Sequence, residues 1–411
     1  MEYAMSKKNI KVLHVTACKY PPEIRVIKEA KSQLKGGYEV AVLCPPYGNQ
    51  PEKEVCDGVQ VFRPSKLASL PITDKLLYNI FFVSPSWRAA LRSVLSEYKP
   101  DVIQVHDIWL GRSVYSERSN EKIILDLHEN MPGAVVEYLK GYKGLTKVFN
   151  FLFKNFTRIR NYEYRLLSKA DMVLVVVQEA YDRLVRYYPQ LDKNKIRVVD
   201  NLESKSFSLG STTLSQDLYR NRYNILYIGG FGPHRGLETL IKALPYLRNA
   251  KVDAHLYLIG AKGQNAYLEI LQSLIAKLNV ADLVTIIDWV PFDHVAWYIK
   301  NATIVTVPHF SNEHTNNTIP HKLFQYMIME KPVLVSDSTP LKRVVDEAHS
   351  GYVFEAGNAA DCADKILKMI AATNLDQLGR NGFDYVINKG NNWEDSSETQ
   401  LLQAMELLIK K

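Results

Sequence analysis

Short apolar runs alternate with stretches of helical periodicity along the first half of the chain. The run at 10–16 predicts a buried strand. Apolar residues then recur at helical spacing at Val26, Ala30 and Leu34, and the glycine pair at 36–37 ends this helix. The later predicted strands are 38–43, 102–105, 123–127 and 172–177. Strands separated by helices in this way predict a doubly wound parallel sheet.

A second alternation of strands and helices begins near residue 224, after the polar stretch 203–217. Its predicted strands are 224–228, 255–259, 284–287, 304–307 and 333–336. A chain of 411 residues is too long for one ordinary core, so we predict an α/β protein with two Rossmann-like, doubly wound parallel-sheet domains. The predicted bounds are 1–205 for the N-terminal domain, 206–390 for the C-terminal domain and 391–411 for a final amphipathic helix.

Composition places the chain among ordinary globular proteins, with 46% hydrophobic and 23% charged residues. The four cysteines have no C-x-x-C spacing, so neither a zinc site nor a disulfide framework is expected, and a reducing cytoplasm fits best. Residues 1–10 contain no apolar signal core, and no apolar run reaches about 18 residues. We therefore expect neither secretion nor a membrane-spanning helix.

Ligands of parallel sheets bind outside the carboxyl ends of the strands, so the residues after each strand are the candidates for chemistry. In the first half, His106 follows one predicted strand, and His128 and Glu129 follow the next. Either histidine could instead hydrogen-bond a neighbouring loop. Arg25, near the end of the first strand, is another candidate, with a salt bridge to Glu29 one helical turn away as the alternative.

In the second half, a glycine-rich turn joins a predicted strand to a helix and contains Gly229, Gly230 and Arg235. Glycines let backbone N–H groups approach an anion closely, and the arginine adds a charged donor. A glycine-rich loop alone is a weak signal for such a site.

The stretch 316–337 predicts a loop, a short helix and a buried strand. Thr318 is the predicted N-cap of this helix and Pro320 lies in its first turn. An apolar face predicted at helical spacing leaves Thr318, Lys322 and Gln325 to point away from the core. The helix N-terminus beside Lys322 is a candidate phosphate site, although many similar α/β crossovers bind nothing.

A basic segment lies between residues 138 and 169, where eight lysines and arginines face the single acid Glu163. On one ideal helix, four of them form a stripe: Lys147, Lys154, Arg158 and Arg165. The stripe is either an ordinary solvated face opposite an apolar core face or a surface that rests on an anionic membrane. Nucleic acid is a further anionic partner, but no known nucleic-acid motif accompanies the stripe, so we expect none.

The stretch 320–333 resembles a segment of the retaining glycosyltransferases of family four, which includes bacterial enzymes of cell-surface polysaccharide synthesis. That family has P-S-K-L-x-E-Y-M-A-x-G-K-P-V there, whereas this chain has Asn317 and Gln325 in place of two glutamates. Residues 101–107 are similar to the family's D-x-x-H-x-H-D segment, and 126–129 to a strand that ends in H-E. Residues 227–236 resemble Y-x-G-R-x-x-x-x-K-G, with Arg235 at the lysine position.

The resemblance implies a GT-B fold, in which two Rossmann-like domains face a cleft. It implies retaining transfer of a hexose-type sugar from a UDP- or GDP-linked donor to a glycan or lipid-linked acceptor, without a metal or other cofactor. The residues that it assigns to the chemistry are His128, Glu129 and His106, with Arg25 at the acceptor or phosphate loop. Its donor-binding candidates are Arg235, Lys322, Gly229, Gly230, Asn317, Thr318 and Gln325.

No tight cluster of Asp, Glu and His is visible along the sequence, which agrees with a site that works without metal. The amides at Asn317 and Gln325 favour one competing function, a GT-B protein that has lost catalysis and serves as a binding or scaffolding subunit. For the enzyme we expect a cytoplasmic location with peripheral contact at the inner face of the membrane.

Overall fold

The computed structural model describes residues 10–140, 144–210, 222–261, 263 and 266–410. The chain divides into two compact units. The first contains the described residues up to Val136, then Gly144–Asp200 and the C-terminal stretch from Ser397. The second contains Asn201–Ser396 and a short stretch that starts at Glu137.

The sheet of the first unit has eight strands in the order β3-β4-β2-β1-β5-β6-β7-β8. All neighbours pair in parallel except the β3–β4 hairpin. The strands are β1 (Lys11–Val15), β2 (Glu39–Leu43), β3 (Lys53–Cys56), β4 (Val59–Phe62), β5 (Val102–His106), β6 (Lys122–Leu127), β7 (Met172–Val175) and β8 (Ile196–Val198). The central strands β1, β5 and β6 are almost entirely buried, as expected for a parallel sheet covered by helices on both faces.

Helices connect these strands in the alternation that the periodicity predicts. They are α1 (Ile24–Lys35), α2 (Ile72–Phe81), α3 (Pro85–Tyr98), α4 (Gly111–Glu117), α5 (Met131–Leu139), α6 (Gly144–Phe153), α7 (Phe156–Lys169) and α8 (Gln178–Tyr187). Side-chain caps fix two of the starts: Ser84 accepts the backbone N–H of Trp87 at α3, and Asn155 accepts that of Arg158 at α7.

The sheet of the second unit has six parallel strands in the order β11-β10-β9-β12-β13-β14. They are β9 (Tyr223–Ile228), β10 (Ala254–Ala261), β11 (Val284–Asp288), β12 (Ile304–Val307), β13 (Val333–Ser336) and β14 (Gly351–Phe354). The helices are α9 (Leu237–Asn249), α10 (Ala266–Leu278), α11 (Phe292–Asn301), α12 (Lys322–Ile328), α13 (Thr339–Ala348), α14 (Ala359–Ala371) and α15 (Leu375–Phe383). Both units thus have the doubly wound arrangement that the sequence predicts.

The last helix, α16 (Glu398–Ile409), packs in the first unit against α1. Ser32 and Lys35 of α1 hydrogen-bond Glu398, and Gln400 bonds Asp200 through its side-chain amide. None of the helices in the described ranges combines the length and apolar character needed to cross a membrane.

The predicted start of the helix after residue 316 is wrong. Thr318 has an extended backbone and follows a short 3₁₀ turn at Thr315–Asn317, whereas α12 begins only at Lys322. Every residue of α12 is buried, including Lys322 and Gln325. A helix this short between other packed elements presents no solvent face.

The basic stripe of the sequence analysis does not lie on one helix. The helical path breaks after Phe153, and Asn155 caps a new helix, α7. Val148 and Leu152 of α6 are 56% and 59% exposed, so these apolar side chains do not face a core. Arg158 turns inward and donates to backbone oxygens at the end of α2, while Arg165 is exposed. The side chain of Lys147 lies outside the described residues.

Candidate active site

Three histidines from adjacent strands form a hydrogen-bonded chain in the first unit. Nδ1 of His14 in β1 lies 2.9 Å from Nε2 of His106 in β5, and Nδ1 of His106 lies 3.0 Å from Nε2 of His128. The sheet order explains the contact, because β1 pairs with β5 and β5 with β6, after which His128 follows directly. His128 is the outer member of the chain, with its side chain 17% exposed, while the other two are buried.

The contact between Gln33 and His14, at the inner end of the three histidines, shows which nitrogen of His14 carries a proton. The side-chain oxygen of Gln33 can only accept, and it lies 2.7 Å from Nε2 of His14, so that nitrogen donates. Nδ1 of His14 then accepts from Nε2 of His106, and Nδ1 of His106 lies between Nε2 of His128 at 3.0 Å and the carboxylate Oδ2 of Asp126 at 3.1 Å. Burial lowers the pKa of His14 to about 3 and also lowers that of His106, which keeps both rings neutral.

His128, unlike His14 and His106, has a raised pKa and is protonated at neutral pH. Burial alone would lower its pKa, but the carboxylates of Asp126 and Asp107 raise it to about 10. Nε2 of His128 lies 3.0 Å from Oδ2 of Asp126, and its backbone N–H donates to Asp107 at 2.9 Å. The structure therefore places a protonated imidazole at the carboxyl end of β6. Glu129 follows it, half-buried.

Arg25 lies beneath this chain rather than on an open loop. Its guanidinium is 5% exposed, lies 2.9 Å from Glu29 and 3.3 Å from Asp126, and donates to the carbonyl oxygen of Val199. The internal salt bridge to Glu29, which the sequence left open, is thus the contact that the structure shows. The role expected for Arg25 at an acceptor or phosphate loop would require this buried network to open.

Glu29 and Asp126 share the one guanidinium and differ in their charge. Burial and the neighbouring Asp126 raise the pKa of Glu29 to about 8. Asp126 stays ionised because Arg25 and His128 hold its pKa well below the usual range, against the effect of burial. The side-chain amide of Gln104 donates to Glu29 at 2.7 Å. The guanidinium of Arg25, the ionised carboxylate of Asp126 and the Glu29 carboxyl with its raised pKa thus lie behind His128.

The expectation that the chain has no tight Asp/Glu/His cluster is wrong. One ligand atom each from Glu29, His106, Asp126 and His128 lies within 4.8 Å of the others. Such a donor set fits a divalent ion in kind, but the guanidinium of Arg25 already contacts both carboxylates. Sequence reasoning missed the cluster because its members come from one helix and two strands. That the enzyme works without a metal stays a prediction.

The second unit concentrates positive charge at its strand ends. Lys322, at the start of α12, has its ammonium 4.0 Å from the centre of the Tyr227 ring and no hydrogen-bond acceptor among the described residues. Gly229, after β9, has a φ of 139°, and a Cβ there would lie 2.2 Å from Nζ of Lys322. The positive φ favours glycine at this position, because other residues rarely adopt it, and the glycine leaves room for the end of the lysine side chain. Gly230 accepts from the hydroxyl of Tyr227 at 2.8 Å.

Arg235 lies beside this lysine and contacts a neutral ring. Its guanidinium is 3.1 Å from Nε2 of His309, the second residue after β12. Burial and the neighbouring cations hold the pKa of His309 well below its usual range and lower that of His234 to about 2. Burial, and then Arg235, also lower the pKa of Lys322 well below 10.5. Among the described residues neither cation has a carboxylate partner, so an anion would be stabilised here.

The polar side chains predicted to bind the donor beside Arg235 and Lys322 form hydrogen bonds with other residues of the protein. The side-chain amide of Asn317 donates to the carbonyl oxygen of Glu313 at 2.7 Å, and Thr318 donates to that of His314 at 3.3 Å. The amide of Gln325, which is 3% exposed, donates to the carboxylate of Glu203 at 2.7 Å. Sequence reasoning missed Glu203 because it is 122 positions away, and no local pattern marks it.

The class of protein follows from comparisons with known structures and family models. Sucrose-phosphate synthase from Thermosynechococcus elongatus superposes with a TM-score of 0.77 over 98% of each chain, at 18% identity. The Anabaena protein HepE, solved in complex with UDP-glucose, gives a TM-score of 0.70 over 98% of this chain and 100% of its own, at 15% identity. With two parallel-sheet α/β units and these neighbours, the chain has the GT-B fold.

Family models cover most of both units. The model "Glycosyltransferase Family 4" matches residues 23–202, and "Glycosyl transferases group 1" matches residues 215–383. An uncharacterized glycosyltransferase of Methanocaldococcus jannaschii is 25% identical over 203 residues, 49% of this chain and 53% of that one, so the match spans about half the length of this curated relative. The chain belongs to the glycosyltransferases of the family-four type.

Proposed function

We propose that the protein is a retaining hexosyltransferase that uses a UDP- or GDP-linked sugar and acts on a glycan or lipid-linked acceptor in surface polysaccharide synthesis. The observation that carries the proposal is the pair of cations in the second unit, Arg235 and Lys322, which lie at strand ends and have no carboxylate partner among the described residues. A diphosphate is the part of such a donor that needs positive charge. HepE, which shares the fold, binds UDP-glucose.

The proposed step breaks the bond between the anomeric carbon and the diphosphate oxygen and forms a bond from that carbon to an acceptor hydroxyl oxygen. The hydroxyl gives up its proton to solvent water, and the nucleoside diphosphate leaves with the bonding electrons and one more negative charge. Retention requires the hydroxyl to be held on the face from which the diphosphate departs. Arg235 and Lys322 would stabilise the charge that develops on the leaving group.

His128 is the residue of the first unit that we assign to the donor sugar. Its outer edge is reached by solvent, and the chain to His14 holds its inner nitrogen. His106 then acts through His128 as a positioning residue, and Glu129 is the neighbouring carboxylate. Because Arg25 is occupied by Glu29 and Asp126, we leave it out of the proposed contacts with ligand.

Thermal shift with UDP, GDP and their glucose and mannose conjugates tests donor binding, because a ligand that binds only the folded state stabilises it. Arg235→Ala should remove most of the shift. Arg222→Ala is the matched control, since this exposed arginine precedes the opposite end of the same strand, β9. No shift with any nucleotide, or an equal loss in both variants, would refute the assignment.

The scaffold function keeps one observation in its favour. The amides of Asn317 and Gln325, which replace glutamates of the family pattern, donate to groups of the fold itself. Hydrolysis of the nucleotide sugar separates the two functions: a transferase releases nucleoside diphosphate slowly without acceptor, whereas a scaffold binds nucleotide and releases none. With the enzyme we propose a cytoplasmic location and peripheral contact at the inner face of the membrane.

A further inference from the structure

A cavity in the first unit is lined by cations that face no acid. Its volume is about 610 Å³, and it lies between the end of α2, α4 and the outer face of α7. The cations on its wall are Arg112, Arg158, Arg165 and Lys169, and no aspartate or glutamate contributes to the lining. Among the described residues none of the four pairs with a carboxylate, whereas Arg63, Arg88 and Arg183 of the same unit each do.

Two of these arginines are held in place by helix ends. Arg158 donates to the backbone oxygens of Asn79 and Phe153, and its guanidinium lies 4.4 Å from the centre of the Phe82 ring. Arg112 donates to the backbone oxygen of Phe81 at 2.8 Å. The last carbonyls of α2 and α6 thus converge on arginines, which fixes cationic groups at the cavity without neutralising them.

The side chains of the other two cations, Arg165 and Lys169, are exposed and extend from α7. Arg165 and Lys169 lie one turn apart on α7, and among the described residues their side chains make no hydrogen bond to protein. Thr157 and Asn161 add polar groups to the same wall. The cavity therefore offers two fixed and two adaptable cations to an anionic ligand, as phosphate recognition requires.

Apolar side chains are exposed beside the same cavity. Of the seventeen large apolar side chains exposed in the described part of the chain, nine lie on α2 and α6, whose ends meet at Arg158. They are Ile72, Leu76, Leu77, Ile80, Phe81, Val148, Phe149, Phe151 and Leu152, between 37% and 73% exposed. A concentration of this kind marks an interaction surface rather than scattered surface residues.

We propose that this cavity binds the phosphate of an anionic phospholipid, with α2 and α6 inserting their apolar side chains into the membrane surface beside it. The combination selects the occupant, because a free phosphate or a nucleic acid would use the cations but leave the apolar helices in water. The proposal rests on the peripheral location given with the transferase function, and it replaces the single-helix stripe by a cavity and two helix ends.

Vesicle sedimentation tests the proposal, with phosphatidylcholine vesicles prepared with and without phosphatidylglycerol. The full chain should bind the anionic vesicles and bind less as salt rises. Each cation near an anionic surface strengthens binding about fivefold, so Arg165→Glu with Lys169→Glu should weaken it at least about twentyfold. Ile72→Ser with Phe151→Ser should weaken binding at high salt as well, because it removes inserted apolar area.

The matched control is Lys242→Glu with Lys277→Glu, which changes the same charge at exposed lysines of α9 and α10. Equal binding to neutral and anionic vesicles, or an equal loss in the control, overturns the proposal. Two further results would overturn it if the protein does not bind vesicles. One is thermal stabilisation by inorganic phosphate that depends on Arg165 and Lys169, and the other is binding of duplex DNA that depends on the same residues.

The thermal shift with UDP is measured on the same proteins and separates this inference from the transferase function. An intact UDP shift without vesicle binding overturns the membrane surface and leaves the enzyme. Vesicle binding without any nucleotide response overturns the donor site and leaves the surface.

Discussion

Replacing Lys322 by methionine is the sharpest test of the proposed diphosphate site, because methionine keeps most of the side-chain length and removes the ammonium. Lys322 is 7% exposed, and its ammonium meets the Tyr227 ring but no hydrogen-bond acceptor among the described residues. A diphosphate oxygen would complete that interaction. A hydrogen bond to a charged group contributes about 1.5–3 kcal/mol, so the variant should bind UDP roughly 10- to 150-fold more weakly.

The same change should affect stability in the opposite direction. Burial and Arg235 lower the pKa of Lys322 well below 10.5, so between its folded pKa and 10.5 the unfolded chain binds more protons than the folded one. The stability of the wild type therefore rises with pH over that window. Lys322→Met lacks this dependence, and we expect it to be more stable than the wild type near neutral pH, with a difference that shrinks towards pH 10.5.

Titration calorimetry with UDP, in buffers that differ in ionisation enthalpy, measures the affinity for UDP and the number of protons taken up on binding. An anion beside Lys322 favours the charged amine, so binding should take up protons in the wild type and fewer in the variant. Chemical denaturation at several pH values supplies the stability difference. Equal UDP affinity in the two proteins would refute the diphosphate site, and a variant that is less stable at neutral pH would refute the description of Lys322 as a buried amine whose pKa is lowered by burial.

Three further predictions concern the two units separately. His128→Ala should lower the rate of nucleotide-sugar hydrolysis far more than UDP affinity, because the nucleotide belongs to the second unit; a folded variant with an unchanged rate, checked by steady-state kinetics, would exclude the sugar contact. Gln325→Glu should destabilise the protein by about 1–3 kcal/mol in chemical denaturation, because it places a second carboxylate next to buried Glu203. The amide of Gln325 now donates to that carboxylate at 2.7 Å. Gln325→Met, which adds no charge, should destabilise the protein less. Arg25→Met should cost about 3–5 kcal/mol by the same measurement, because the buried, ionised carboxylate of Asp126 loses its cation, and a loss below 1 kcal/mol would contradict that account.

The outcome for Gln325 shows how the structure changes an expectation. From the sequence, a glutamate at this position is expected to be tolerated, because glutamine and glutamate have the same shape and the family pattern has glutamate there. The structure places Glu203 at the amide, so the amide nitrogen is needed as a donor within the fold. The glutamine is thus matched to its neighbour, and a glutamate would meet a like charge.

Local patterns along the chain predicted ten of the fourteen described strands in their order, and missed β3, β4, β8 and β14. The apolar run of β1, the helical spacing of α1 and the apolar run of β13 are each properties of a few neighbouring residues, and the structure has all three elements. The placement of His106 and His128 at the ends of β5 and β6 follows from the same reasoning, because a strand end is visible where an apolar run stops. The salt bridge of Arg25 to Glu29 also depends only on helical spacing.

The tertiary structure decided which of these residues meet. His14 joins His106 because β1 lies next to β5, although the two residues are 92 positions apart. The break between α6 and α7 turns Arg158 towards the last carbonyls of α2, 79 positions away, and so changes a predicted stripe into the wall of a cavity. Periodicity records only whether a side chain is buried or exposed. Sheet order and helix packing select its partner, and the energy of a buried charge or amide depends on that partner.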